Sequence, residues 1–129
     1  MKKLFVPTLL GLLLLLTPVF VSAATFTGSI QGFNCVTQGK TCPIGQEDPM
    51  AATENVFVLL VDAAKGEYYF LPNVEKEVLV RHINVQIKVN GDLDKKYRTL
   101  KVKEIMNSKG KTVWSKSMED EMQRLLNAE

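Results

Sequence analysis

The stretch NVQIKVNGDLDKKYRTLKVKEI, Asn84 to Ile105, constrains this chain more than any other. Val85, Ile87 and Val89 alternate with Asn84, Gln86, Lys88 and Asn90. That period of two marks a strand with one dry face and one wet face. Gly91 interrupts the run where a strand would bulge or bend sharply. Asp92 to Tyr97 is turn material, and a second alternating run follows, with Leu100 and Val102 inward and Lys101 and Lys103 outward. Two such runs joined by a short polar link predict an antiparallel hairpin. The rest of the chain is expected to pack onto it.

The first residues read as an address and not as fold. Lys2 and Lys3 precede an apolar run from Leu4 to Val21, and Val21-Ser22-Ala23 supplies the small residues a signal peptidase needs. The pattern predicts a secretory signal over residues 1–23, with cleavage after Ala23 or Ala24 and a periplasmic or secreted destination. An uncleaved membrane anchor is the rival reading. Pro7, Gly11 and Pro18 interrupt the run, which is short for the ~20 apolar residues of a spanning helix. Removal of Lys2 and Lys3 leaves 14 basic residues against 14 acidic ones. A neutral exported chain argues against nucleic acid as a partner, because phosphate binding needs a basic surplus. No second apolar span follows, so the mature chain is expected not to span a membrane.

Phe26, Gly28 and Ile30 share one side of a first strand from Thr25 to Gln31. Residues 32–54 have no clear period and are rich in glycine and proline, which predicts a long tethered loop. VFVLLV, Val56 to Val61, is an unbroken branched run and reads as a strand covered on both faces. After a turn at Ala63 to Gly66, Glu67 to Leu71 continues as a strand with Tyr68 and Phe70 on one side and Tyr69 and Leu71 on the other. Asn73 is expected to cap a short helix with Glu75 in its first turn; Val74, Val78 and His82 lie at about the same angle. Thr112 to Trp114 adds a short edge strand. Ser117 and Asp120 loosely match a capping box. Met118, Met122, Leu125 and Leu126 then form one apolar stripe on a helix ending near Ala128. That stripe either covers the outer face of Val56 to Val61, the favoured reading, or docks on a partner.

Five strands with a helix between the third and fourth is the plan of an OB-fold barrel. The chain also resembles a group of small exported bacterial proteins of that type. The resemblance rests on FTGSIQGFNC, a cysteine-bearing loop, NVFVLLVDAAKGEYYFL, a helix, and VQIKVNGDLDKKYRTLKVKEI. It implies a mainly β fold, a five-stranded OB-like barrel, which the chain is expected to form over residues 24–114; the C-terminal helix expected over 115–129 lies outside the resemblance. The resemblance implies no catalytic residue.

Cys35 and Cys42 are the only cysteines. In an exported chain they predict a disulfide, worth about 2.5 kcal/mol at most for so short a loop. A redox pair is disfavoured by the spacing, which is not Cys-x-x-Cys. Cys35, Cys42, Met50 and His82 are candidate soft-metal ligands for Cu(I) or Zn. His82 is the only histidine, so no Ser-His-Asp or Cys-His unit can form without it, and helix-end hydrogen bonding is its plainer role. Asp92 and Asp94 suit turn chemistry better than Ca²⁺. Tyr68, Phe70 and Tyr97, with Lys101 and Lys103 on the neighbouring strand, form a candidate binding surface; packing and a solvated strand face are the alternatives. Together these features point to a non-catalytic exported binding or assembly module, not an enzyme, with no cofactor and a protein partner in the cell envelope. The alternatives are a periplasmic metal- or haem-handling protein, or a small-ligand or glycan binder on the barrel face.

Overall fold

In a computed structural model, residues 22–39 and 54–128 are described. Among the described residues, six strands and three helices follow one another as β1 (Ser22–Gly32), α1 (Phe33–Thr37), β2 (Phe57–Asp62), β3 (Glu67–Phe70), α2 (Lys76–Val80), β4 (Gln86–Asp94), β5 (Thr99–Asn107), β6 (Thr112–Ser115) and α3 (Lys116–Asn127). The fold is mainly β with a C-terminal helix. In the sheet the order is β3-β2-β1-β4-β5-β6, and all of these neighbours are antiparallel. A parallel contact between β3 and β5, at Phe70 and Thr99, joins the sheet to itself and closes a ring of five strands.

The β4–β5 hairpin forms as the alternation requires. Ile87, Val89, Leu100, Val102 and Ile105 are buried, while Lys101 and Lys103 face solvent. The register shifts between Asn90 and Gly91, which places the bulge at the glycine. A Cβ on Gly91 would lie 2.4 Å from the Lys101 carbonyl oxygen, so only glycine lets the strands meet there. Gly28 does the same for β1, where a Cβ would come within 2.3 Å of the Leu60 carbonyl oxygen. There β1 exchanges partners. Ser22 to Gly28 pair with β4, Ser29 with both β4 and β2, and Ile30 to Gly32 with β2, where Ile30 also bridges Ile83. Val85 departs from the alternation, since it precedes β4 and is exposed.

Both faces of β2 are covered, as an unbroken apolar run predicts. Phe57 and Leu59 join the interior with Ile30, Leu71, Val74, Leu79 and Trp114. Val58, on the opposite face, is fully buried as well. Its cover is not the C-terminal helix, contrary to the favoured reading. Helix α1, which the sequence reading missed inside the irregular loop, packs beside β1 and β2, and Phe33 leads it with rings against Tyr68 and Phe70. Helix α3 instead meets β6 and β5.

Two predicted caps move. Ser115, not Ser117, caps α3, its hydroxyl accepting from the Met118 N–H at 3.2 Å. Asn73 does not cap α2, whose N-cap is Glu75 without a side-chain bond. Its amide reaches β5, where Nδ2 donates to the Val102 carbonyl at 2.7 Å and Oδ1 accepts from the Val102 N–H at 2.8 Å. One side chain thus stands in for a strand residue three positions beyond the Phe70–Thr99 contact. Replacing Asn73 with Ala leaves both Val102 groups without that partner and is expected to cost about 2–3 kcal/mol in chemical denaturation. Asn73→Asp keeps the acceptor and should recover part of the loss.

Candidate functional site

The sequence-derived binding surface divides into three places. Tyr68 and Phe70 sit on the outer side of β3, ring centroids 5.8 Å apart, with Phe33 of α1 completing the cluster. Alternation along β3 puts these two outward and turns Tyr69 inward, where it lies 4.7 Å from Phe26. Tyr97 stands apart in the β4–β5 turn, exposed, with the Lys96 ammonium 5.2 Å from its ring centre. Lys101 and Lys103 belong to the outer face of β5, and Lys103 pairs with Asp92 at 3.3 Å. Tyr68 and Phe70 are thus packed with Phe33, Tyr97 is exposed in the turn, and Lys101 and Lys103 lie on a solvated strand face.

Ring closure assembles a constellation that alternation could not reveal. Because β3 and β5 run parallel at their contact, the segment before β5 lies beside β3. The Arg98 carbonyl accepts from the Phe70 N–H at 2.8 Å. Arg98 holds φ at +52°, a left-handed conformation rare for residues with side chains. Its guanidinium carbon lies 5.0 Å from the Tyr68 ring centre, a cation–π distance. Lys65 from the β2–β3 turn and Lys95 from the β4–β5 turn line the same crevice, which has a volume of about 230 Å³. Glu67 is its one carboxylate and accepts from the Tyr69 hydroxyl at 2.8 Å. Burial raises the Tyr69 phenol above its ordinary pKa, and the bond to Glu67 adds to the rise.

A second apolar recess lies at the far end of β3, between Phe57, Leu71, Val74 and Leu79, with a volume of about 260 Å³. Lys76 stands over it, 6.0 Å from the Phe57 ring centre. Nearby, buried Glu54 secures the start of α1: its carboxylate accepts from the Asn34 N–H at 3.1 Å and from the Val56 N–H at 3.4 Å. Neither role had a signal in the sequence, because a glutamate after a glycine- and proline-rich loop reads as solvent-facing.

The metal candidates do not form a described site. Cys35 is buried in α1, while Cys42 and Met50 lie outside the described residues, as does the expected Cys35–Cys42 bridge. Among the described residues, no three His, Cys, Asp or Glu side chains are grouped to hold a metal ion. Asp92 and Asp94 are engaged in structure: Asp94 accepts from the Lys96 and Tyr97 N–H groups, closing the turn. Also among the described residues, no helix is long and apolar enough to cross a membrane.

Helix α3 is the third surface feature. Met118, Met122, Leu125 and Leu126 are 54%, 58%, 61% and 63% exposed, and none of its residues is buried. The stripe that spacing predicts thus lies open along one side of the helix. Lys116 at its start pairs with Asp120 at 3.0 Å and Glu119 at 3.7 Å; the hydrogen bond it donates to Asp120 raises the lysine pKa. Comparison with protein-family models, curated proteins and solved structures finds no match for the chain.

His82 follows α2, its N–H donating to the Leu79 carbonyl at 2.9 Å. Burial lowers its pKa below the ordinary value of 6.5, and neighbouring Arg81 lowers it further. The folded state thus resists protonating this ring. Its contribution to stability is complete above the unfolded pKa and is lost as pH falls from about 6.5 through the folded value. Unfolding by urea across pH 7.5 to 5 should show this decline, and His82→Gln should flatten it in that window alone.

Proposed function

We propose that this chain is an exported, non-catalytic binding or assembly module that docks through its C-terminal helix onto a protein partner in the cell envelope. The observation that carries the reading is the open stripe on α3. Single exposed apolar residues are ordinary, but four large ones in one row form a patch that soluble surfaces rarely leave bare. Burying a Leu or Met side chain fully is worth roughly 1.5–3 kcal/mol. Self-packing would gain that, yet Val58 on the outer face of β2 is already buried, and α3 lies against β5 and β6 with its stripe exposed. A helix with one apolar side of this kind fits a groove on another protein.

Charge narrows the occupant. Beside the stripe stand Glu119, Asp120 and Glu121 against Lys116 and Arg124. Helices that lie on membranes carry a basic polar face, so a lipid surface is the poorer fit. An apolar groove with a basic rim complements the helix.

The body that presents the helix is, on this reading, an OB-type barrel. The closed order β1-β2-β3-β5-β4, the helix between β3 and β4, and the bulged β4 all agree with that plan. Export is compatible with the start of β1. Cleavage after Ala23 would remove only the end pairs Ser22–Leu93 and Ala23–Asp92 and would leave the pairing from Ala24 onward. An oxidising destination is also where a Cys35–Cys42 bridge would form.

Photo-crosslinking in the producing cell tests the helix. A photoreactive residue at Met122 should give one defined protein adduct, and the same residue at Gln123, on the polar side, should not. Met122→Glu with Leu125→Glu should abolish docking while shifting stability by about 0.5 kcal/mol or less per site, as for exposed positions. Equal adducts from both positions, or a large loss of stability in the double variant, would place the stripe in the protein's own packing and end the proposal.

A further inference from the structure

We propose that the crevice between the β2–β3 and β4–β5 turns binds a small organic anion, its carboxylate or phosphate held by Arg98 with Lys65 and Lys95. The site is separate from α3 and does not depend on the docking reading. Three cations converge there against one carboxylate, Glu67, and that carboxylate already accepts from the Tyr69 hydroxyl. Among the described residues Lys65 has an acidic partner, Asp62 at 4.0 Å on an exposed surface. Lys95 and Arg98 form no ion pair among the described residues. Concentrated positive charge without internal neutralisation raises the local concentration of anions.

Geometry adds to charge. Arg98 is fixed at both ends: its carbonyl is bonded to the Phe70 N–H, and its guanidinium lies over the Tyr68 ring. Stacking on an aromatic face leaves a guanidinium's N–H edge for planar, two-point recognition of carboxylate or phosphate. Arg98 also holds φ at +52°. Left-handed backbone at a residue with a long side chain costs energy, and such strain gathers where a side chain must be aimed. The volume, about 230 Å³, suits one ring-sized unit and not an extended polymer. An anchor anion on a compact polar body, contacting the edges of Tyr68 and Tyr69, fits these limits.

Glucuronate, glucose 6-phosphate and glucose share one body and differ in the anchor. Titration of the full chain, followed by amide shifts in ¹H–¹⁵N NMR spectra, should show saturable movement at Lys65, Gly66, Lys95 and Arg98 with the two anions and none with glucose. Whichever anion binds more tightly identifies the anchor. Arg98→Asn removes the charge while tolerating the left-handed backbone, and should weaken binding roughly tenfold, the scale of one charge-assisted hydrogen bond. Lys65→Gln and Lys95→Gln should each weaken it several-fold and need no backbone adjustment. Lys101→Gln, on the outer face of β5, should leave it unchanged. The proposal is overturned if neither anion gives saturable shifts at the crevice, if glucose matches them, or if Lys101→Gln weakens binding as much as Lys95→Gln. Unaltered anion binding in the Met122→Glu, Leu125→Glu protein would separate this site from the docking helix.

Discussion

The ring of strands hangs on a short seam between β3 and β5. Five strands could lie as an open sheet with β3 at one edge. One parallel contact, Phe70 with Thr99, brings that edge round to β5, and the Phe70 N–H bonded to the Arg98 carbonyl begins the seam. Asn73 then extends it by placing its amide against both main-chain groups of Val102. Pro72, which has no N–H to give, interrupts the strand between these points, so a side chain takes over where the backbone stops donating. Closure also enables the interior: Leu71 and Val74, on either side of Asn73 in the chain, drop into the core beside Leu100 and Val102.

What the seam encloses determines what it leaves outside. Alternation on β3 sends Tyr69 inward to Phe26 and sends Tyr68 and Phe70 outward to Phe33. The outward pair would be an exposed patch without α1, and Val58 beneath would be wet. Gln31 shows the same economy on β1. It is almost fully buried on the side away from the core, and its Nε2 donates to Ser29 Oγ at 3.1 Å and Asn84 Oδ1 at 2.6 Å. A buried amide without such acceptors would be costly. The outer face of β2 is thus already covered, and α3 leaves β6 held by the Ser115 cap and its neighbours on β5 and β6.

Much of this architecture was legible in the residues, for identifiable reasons. Alternation located β4 and β5 with their inward sets, Val85 excepted, and Gly91 marked the bulge, because a period of two and a missing side chain are local signals. The four-residue edge strand β6 and the stripe on α3 were legible on the same grounds. Asn73 was misread because an asparagine before a helical segment fits a cap, and only the nearness of β5 offers it two better partners. Glu54 and α1 were missed because their stabilising contacts come from residues far along the chain. The candidate surface from Tyr68 to Lys103 was drawn along strands, whereas the cations that meet at Tyr68 come from two turns and a parallel contact.

By itself, then, the sequence determined the periods: which side chains of each strand go in, where a strand must kink, and that the last helix has one apolar side. These are properties of neighbours in the chain, set by the alternation of Cβ directions and by the steric freedom of glycine. Only the tertiary structure decided which surfaces remain open. The side of β2 that α1 covers and the bareness of the stripe on α3 are set by how distant elements pack, and the gathering of Lys65, Lys95 and Arg98 follows from closing β3 against β5. Such a closure brings together residues about 30 positions apart, Phe70 with Thr99 and Asn73 with Val102, and no local pattern encodes that distance.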